Sequence, residues 1–141
     1  MRAGDTVCPF ILKVIEMTPS QSPITILGCG SYGTALAISF SRNGSPTYLW
    51  GHNPDHIHQM QQERQNRRFL PDIEFPESLH LELDLKTALE QSKDILIVVP
   101  SHAFGEILLK IRPHLKPDHR LIWATKGLER NDYYKKWWKK P

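Results

Sequence analysis

Gly28-Cys29-Gly30-Ser31-Tyr32-Gly33 is a G-x-G-x-x-G run, a spacing that can hold the pyrophosphate of a dinucleotide. Each glycine has a separate reason to be there. Gly28 permits a tight turn, Gly30 lets the backbone approach the phosphates without a Cβ in the way, and Gly33 lets a helix lie close to a strand. The N–H groups and the helix dipole at Ser31 and Tyr32 then favour anionic oxygens. Glycines cluster in many turns, so the pattern needs a strand running into it and a helix leaving it. Ile24-Thr25-Ile26-Leu27 is an apolar, β-branched run that ends at Gly28. From Ser31 to Ser41, Ala35, Leu36, Ile38 and Phe40 suit a helical face, and Asn43-Gly44 stops it.

Three further clusters stand after strand-like runs. A site specific for NAD places Asp or Glu about 20 residues beyond the glycines, on the ribose 2′-OH. Here no acidic residue occurs between Gly28 and Pro54, and Gly51-His52-Asn53 takes that place. His52 offers a donor to a 2′-phosphate and Asn53 can bond either ribose, so NADPH is favoured and NADH allowed. Pro100-Ser101-His102 is not a nucleophile–base pair, because adjacent residues do not set up that hydrogen bond. Ser101 is expected to cap the next helix, with Phe104 facing the nicotinamide half. Lys126, in Thr125-Lys126-Gly127, suits an anionic substrate such as a phosphate ester. His52, His56 and His58 match no zinc spacing, and no metal site is expected.

The elements that must position these residues alternate. Strands are expected at Ile24–Leu27, Thr47–Trp50, Leu79–Leu83 near a sheet edge, Ile95–Val99 as a central strand, and Leu121–Ala124. Helices are expected at about Ser31–Ser41, Asp55–Arg67, Leu85–Gln91 and from Phe104 to Ile111, with a proline-punctuated loop from Phe69 to Pro76. Alternation of this kind implies an α/β fold with a doubly wound parallel sheet of Rossmann type, its ligands at the C-terminal edge of the strands.

Composition narrows the classes. The 141 residues carry 18 Lys+Arg against 15 Asp+Glu, and five of those basic residues lie in 129–141 with only Glu129 and Asp132. The net charge of +3 therefore belongs to the tail, which argues against a basic nucleic-acid-binding domain. Cys8 and Cys29 are too few for a disulfide framework, which fits a reducing cytoplasm. No apolar run approaches the roughly 20 residues that span a bilayer. Residues 1–22 read as a poorly ordered extension, 23–128 as the dinucleotide-binding domain and 129–141 as a divergent basic and aromatic tail.

In order along the chain stand Gly28 to Ala37, Leu49-Trp50-Gly51-His52, Phe69-Leu70-Pro71, Phe75-Pro76, Val99-Pro100-Ser101-His102 and Trp123 to Glu129. Together they closely resemble the N-terminal half of bacterial NAD(P)-dependent glycerol-3-phosphate dehydrogenase, over about residues 23–129. The resemblance implies reduction of dihydroxyacetone phosphate to sn-glycerol 3-phosphate by hydride from NADPH, in cytoplasmic glycerophospholipid synthesis. It implies cofactor contacts from Ser31, Tyr32, His52 and Phe104, and from Lys126 contacts to both cofactor and substrate.

Two departures qualify it. Cys29 replaces the usual Ala of that family. The family's Ser-Gly-Pro motif and helical substrate domain, with the proton-transferring lysine, have no counterpart in this sequence. The fold is thus expected to be incomplete, with no catalytic residue in the chain, and turnover by the chain alone little or none. A truncated or frame-shifted coding sequence is the simplest account of the tail. A stand-alone NADPH-binding or sensing module is the alternative, and a tail that docks on anionic surfaces is a third. Supplying the helical domain in trans separates the first two, and salt-dependent binding lost on deleting 129–141 identifies the third. An unpaired edge at the fifth strand invites association.

Overall fold

The computed structural model describes residues 22–124. Five parallel strands form the main sheet: β1 (Ile24–Leu27), β2 (Thr47–Trp50), β5 (Leu79–Glu82), β6 (Asp94–Ile97) and β7 (Arg120–Trp123), in the order β5-β2-β1-β6-β7. Helix α1 (Ser31–Arg42) joins β1 to β2, α2 (Pro54–Glu63) follows β2, α3 (Leu85–Glu90) follows β5, and α4 (Ser101–Ile111) precedes a 3-10 turn at Arg112–His114. The order steps outward from β1 in both directions, so β1 and β6 flank the point where connections leave to opposite sides, the place at which such sheets bind ligands.

The strands read as apolar runs because both sheet faces are covered. Ile24, Ile26, Leu49 and Leu96 pack on one side with Leu36, Phe40, Ile57 and Met60. Leu27, Ile95 and Ile97 pack on the other with Leu89, Phe104, Ile107 and Ile111. Two polar exceptions have partners. Thr25 is fully buried and its hydroxyl donates to the Ala88 carbonyl at 2.7 Å. Asp94 is buried at the start of β6, where Arg120 pairs with it through Nε at 2.6 Å and Nη2 at 2.9 Å.

Two expectations needed correcting. The second helix ends at Glu63, four residues short of Arg67, because Arg64 turns into the left-handed region at φ 54°. The proline-punctuated segment after it is not all loop. Gln65–Asn66 (β3) pairs antiparallel with Leu70–Glu74 (β4), and Asp72 also takes a positive φ of 66°. Pro71 fits there because a two-stranded ribbon leaves free edges that need no N–H donor.

The two edges of the main sheet differ. Leu79 and Leu81 point their carbonyls away from β2, and side chains cover them: Arg64 Nη2 donates to Leu79 at 2.9 Å and Gln61 Nε2 to Leu81 at 3.2 Å. β5 therefore lies at an edge, as its alternating pattern implies, and is blocked against strand addition. β7 forms the other edge among the described residues, with Leu121 and Ile122 half-buried and Trp123 50% exposed.

Candidate dinucleotide site

The glycine run connects β1 to α1 at the C-terminal end of the sheet. Its three glycines answer to different constraints. Gly28 has φ +126°, and a Cβ built on it would stand 2.0 Å from the Val98 carbonyl oxygen. Gly33 brings the first turn of α1 so close that a Cβ would meet the Gly28 carbonyl oxygen at 2.1 Å. Those two are required by the fold itself. Gly30 is not: its φ of −69° is open to any residue, it is exposed, and nothing lies within 4 Å of where a Cβ would sit. Packing gives no reason for its lack of a side chain. A ligand approaching the backbone does, and this is the fit that a pyrophosphate requires.

The helix that starts there is bare. Gly30 is its N-cap, no side chain caps it, and no acidic residue stands in its first turn. Ser31 is exposed and Tyr32 half-buried beside it. Helix α4, following the neighbouring strand β6, begins the same way. Pro100 is its N-cap, again with no side-chain cap, and no acid lies in the first turn. Ser101 is thus the first helical residue and not the cap expected of it, since the extended φ/ψ that a cap needs falls on Pro100. Ser101 and His102 sit on consecutive helical positions, which point apart.

At the end of β2, His52 is exposed. Asn53 has a different employment from the one its position suggests: its Oδ1 accepts from the N–H groups of Asp55 at 3.0 Å and His56 at 3.4 Å, capping α2. Gly51 passes close to the glycine loop, and a Cβ there would meet the Cys29 sulfur at 2.7 Å. Cys29 is buried, which pushes its thiol up to about 12 and keeps it neutral. Phe104 is buried in the core beneath α4, its ring 6.0 Å from that of Trp123. Lys126, Cys8 and the tail lie outside the described residues, as do both terminal segments assigned from the sequence.

A polar cluster that sequence reading missed lies directly behind the loop. Asn66 is fully buried and joins Cys29, Thr34, His56 and Phe69 through its amide. The helix expected over residues 55–67 gave Asn66 no role of its own, and the signal that could have found it was an Asn just ahead of the turn at Arg67–Phe69. Two concavities lie elsewhere. One of about 510 Å³ flanks β5 between Tyr48, Arg64 and His80, and one of about 450 Å³ lies at the N-terminal end of the sheet, lined by Lys93, Asp94 and Arg120. Neither includes a glycine-loop residue. Among the described residues no helix is long and apolar enough to cross a membrane, and no group of three His, Cys, Asp or Glu is placed to hold a metal ion.

A parallel sheet with its crossover at β1 and β6, a glycine turn shaped for close approach and an uncapped helix behind it define a nucleotide-binding α/β domain of Rossmann type. Residues 23–135 match the family described as NAD-dependent glycerol-3-phosphate dehydrogenase N-terminus, and the chain belongs to that family. It is 78% identical over 115 residues to glycerol-3-phosphate dehydrogenase (NAD(P)+) of Haemophilus influenzae, which covers 82% of this chain and 34% of that one. The corresponding Pasteurella multocida enzyme is 68% identical over 117 residues, covering 83% and 35%. The crystal structure of glycerol-3-phosphate dehydrogenase from Coxiella burnetii superposes with a TM-score of 0.76 at 47% identity, over 79% of this chain and 34% of that one. The yeast enzyme, at 22% identity and a TM-score of 0.66, shares the fold. The chain thus spans about a third of the length of these relatives.

Proposed function

We propose that the chain is the cofactor-holding part of an NAD(P)-dependent glycerol-3-phosphate dehydrogenase, and that it takes NADPH in preference to NADH. Gly30 carries the reading: nothing in the fold fills the place of its missing side chain, which leaves the backbone there open to a ligand. Backbone N–H groups of α1, with Ser31 and Tyr32, would receive the pyrophosphate across Gly28, Gly30 and Gly33. His52, exposed and with no carboxylate on the β2–α2 turn before Asp55, would face the adenosine ribose and its 2′-phosphate. Phe104 would back the nicotinamide half, and Lys126 would meet a phosphate-ester substrate such as dihydroxyacetone phosphate. When bound, the cofactor supplies the hydride. What the chain's own residues supply is binding and orientation, and a polypeptide of these 141 residues is expected to show little or no turnover.

The same reading extends to setting and partners. A cytoplasmic enzyme fits the absence of a membrane-crossing helix among the described residues. No nucleic-acid partner is proposed, and the half-buried outer edge of β7 is the place for association with another chain.

Titration of NADPH and NADH against the chain, followed by nicotinamide fluorescence, tests the proposal. Saturable binding, tighter for NADPH, is the expected result. In Gly30→Ala the fold is retained and NADPH binding weakens about tenfold or more, since the new methyl stands where the phosphates pass. Gly28→Ala loses the cooperative unfolding transition itself, because its Cβ meets the Val98 carbonyl. No saturable binding by the parent chain, or unchanged binding in Gly30→Ala, overturns the reading.

A further inference from the structure

The Gly-rich loop is held from behind by a side chain that its motif does not contain. Asn66 lies 36 positions beyond Gly30, on the β3–β4 ribbon, and is fully buried. Its Nδ2 donates to the Cys29 carbonyl at 2.9 Å and to the Thr34 hydroxyl at 2.8 Å. Its Oδ1 accepts from the Phe69 N–H at 3.2 Å and meets His56 Nε2 at 3.0 Å. An amide has two donors and two acceptor sites, so every one is used. With Oδ1 as the acceptor, His56 Nε2 carries the proton. Cys29 precedes Gly30 and Thr34 follows Gly33, so one side chain grips both flanks of the segment whose N–H groups face the ligand. The Thr34 hydroxyl also reaches the Cys29 carbonyl, at 3.4 Å.

We propose that Asn66 is a positioning residue for the dinucleotide: its amide fixes the Cys29 carbonyl and the Thr34 hydroxyl, and so holds the Gly28–Gly33 loop in the shape that receives the pyrophosphate. This rests on the dinucleotide reading above and deepens it. A loop with exposed glycine at its centre has many conformations to lose on binding, and pre-paying that loss favours the complex. The peptide between Cys29 and Gly30 is the natural lever. Anchoring its carbonyl on the buried side fixes the direction of the Gly30 N–H on the opposite side of the same plane. Loss of the anchor frees that plane to rotate, and leaves a buried carbonyl and hydroxyl short of a donor.

The test compares three variants of the 141-residue chain with the parent. Asn66→Ala removes the whole grip. Thr34→Val removes one strand of it with little change of shape. Thr25→Val is the control: it deletes an equally buried hydroxyl that bonds Ala88 and Ser92, with no contact to the loop. Each is measured for NADPH dissociation constant, unfolding midpoint, and hydrogen exchange at the Gly30 and Ser31 amides without cofactor. Asn66→Ala is expected to bind NADPH about tenfold more weakly, and Thr34→Val about threefold, each with faster exchange at those amides. Thr25→Val is expected to lower the midpoint and leave affinity and loop exchange at parent values. If Asn66→Ala does not fold, Thr34→Val against Thr25→Val decides. Parent affinity and exchange in the loop variants, or an affinity loss in Thr25→Val that follows its midpoint, overturns the inference. Failure of the parent chain itself to bind NADPH overturns the dinucleotide reading, whereas failure confined to the variants overturns only the role of Asn66.

Discussion

Among the described residues four helices follow parallel strands, and they begin in two ways. Those after β2 and β5, on one side of β1 in the sheet, are capped: Asn53 holds the first N–H groups of α2, and Asp84 holds Thr87 N–H at 3.0 Å in α3. Those after the central pair β1 and β6 have no side-chain cap and no acid in the first turn. A helix start without a side-chain cap forgoes a few tenths of a kcal/mol where the capping residue is Gly and about 1 kcal/mol otherwise, so the difference is a cost accepted at two adjacent positions. Both lie where the sheet order changes direction. The domain closes its helix ends where they serve only the fold, and leaves them bare where an anion can take the place of a cap.

Closing a bare end gives the largest effect on binding. Gly30→Asp puts a capping carboxylate at the start of α1, where φ −69° and ψ −178° suit it and nothing obstructs its Cβ. The helix should gain a few tenths of a kcal/mol, the usual advantage of Asp over Gly as a cap. NADPH affinity should fall by about a hundredfold or more, because the carboxylate competes for the N–H groups and repels the phosphates. Opposite signs in the unfolding midpoint and the NADPH titration are the diagnostic. A variant that binds as well as the parent would mean that the bare end of α1 does not face the cofactor.

Opening a closed end is smaller and should spare binding. Asn53→Ala strips α2 of its acceptor and should cost about 1 kcal/mol in denaturant unfolding. The dissociation constant for NADPH should move by less than about threefold, since the bonded Oδ1 is already committed to the helix. Asn53→Asp keeps the cap while adding charge near the proposed ribose site, and should shift preference from NADPH toward NADH. A large loss of NADPH affinity in Asn53→Ala would return that side chain to the ribose and blur the division between capped and bare ends.

The frame of this division was legible in the sequence, but the division itself was not, since Ser101 was expected to cap α4 and Asn53 to bond a ribose. The glycine run, its flanking strand and the order of alternating elements follow from periodicity, because strands buried on both faces and helices on a sheet leave little freedom in where apolar residues fall. What periodicity does not carry is the backbone detail that decides individual roles. Nothing in Pro54 to Arg67 announces that Arg64 turns left-handed, yet that turn ends the helix ahead of Asn66, which lies buried on the ribbon. Pro100 taking the cap position from Ser101 depends likewise on one pair of dihedral angles. The glycines were readable because their spacing is local, Gly28 and Gly33 each answering a steric constraint of the turn, whereas the residue gripping the loop is distant in sequence and meets it only in three dimensions.

The smallest effect separates the two capped ends from each other, since Asn53 does not titrate and Asp84 does. The Thr87 hydroxyl donates to the Asp84 carboxylate at 2.8 Å, and its N–H at 3.0 Å, holding the carboxyl below its ordinary value of 3.8. A carboxyl depressed in the folded state adds stability above its unfolded pKa, and that contribution is lost as pH falls through the folded one. Exposure at α3 keeps the contribution small, because water and salt screen it. Asp84→Asn retains an acceptor for the cap and removes the titration. Unfolding midpoints measured from pH 7 down to about pH 3 should therefore fall more steeply below about pH 4 in the parent than in Asp84→Asn, with the two nearly equal at pH 7. Parallel curves across that window would show that the cap at α3 acts without its charge, and would make it equivalent to the neutral cap that Asn53 gives α2.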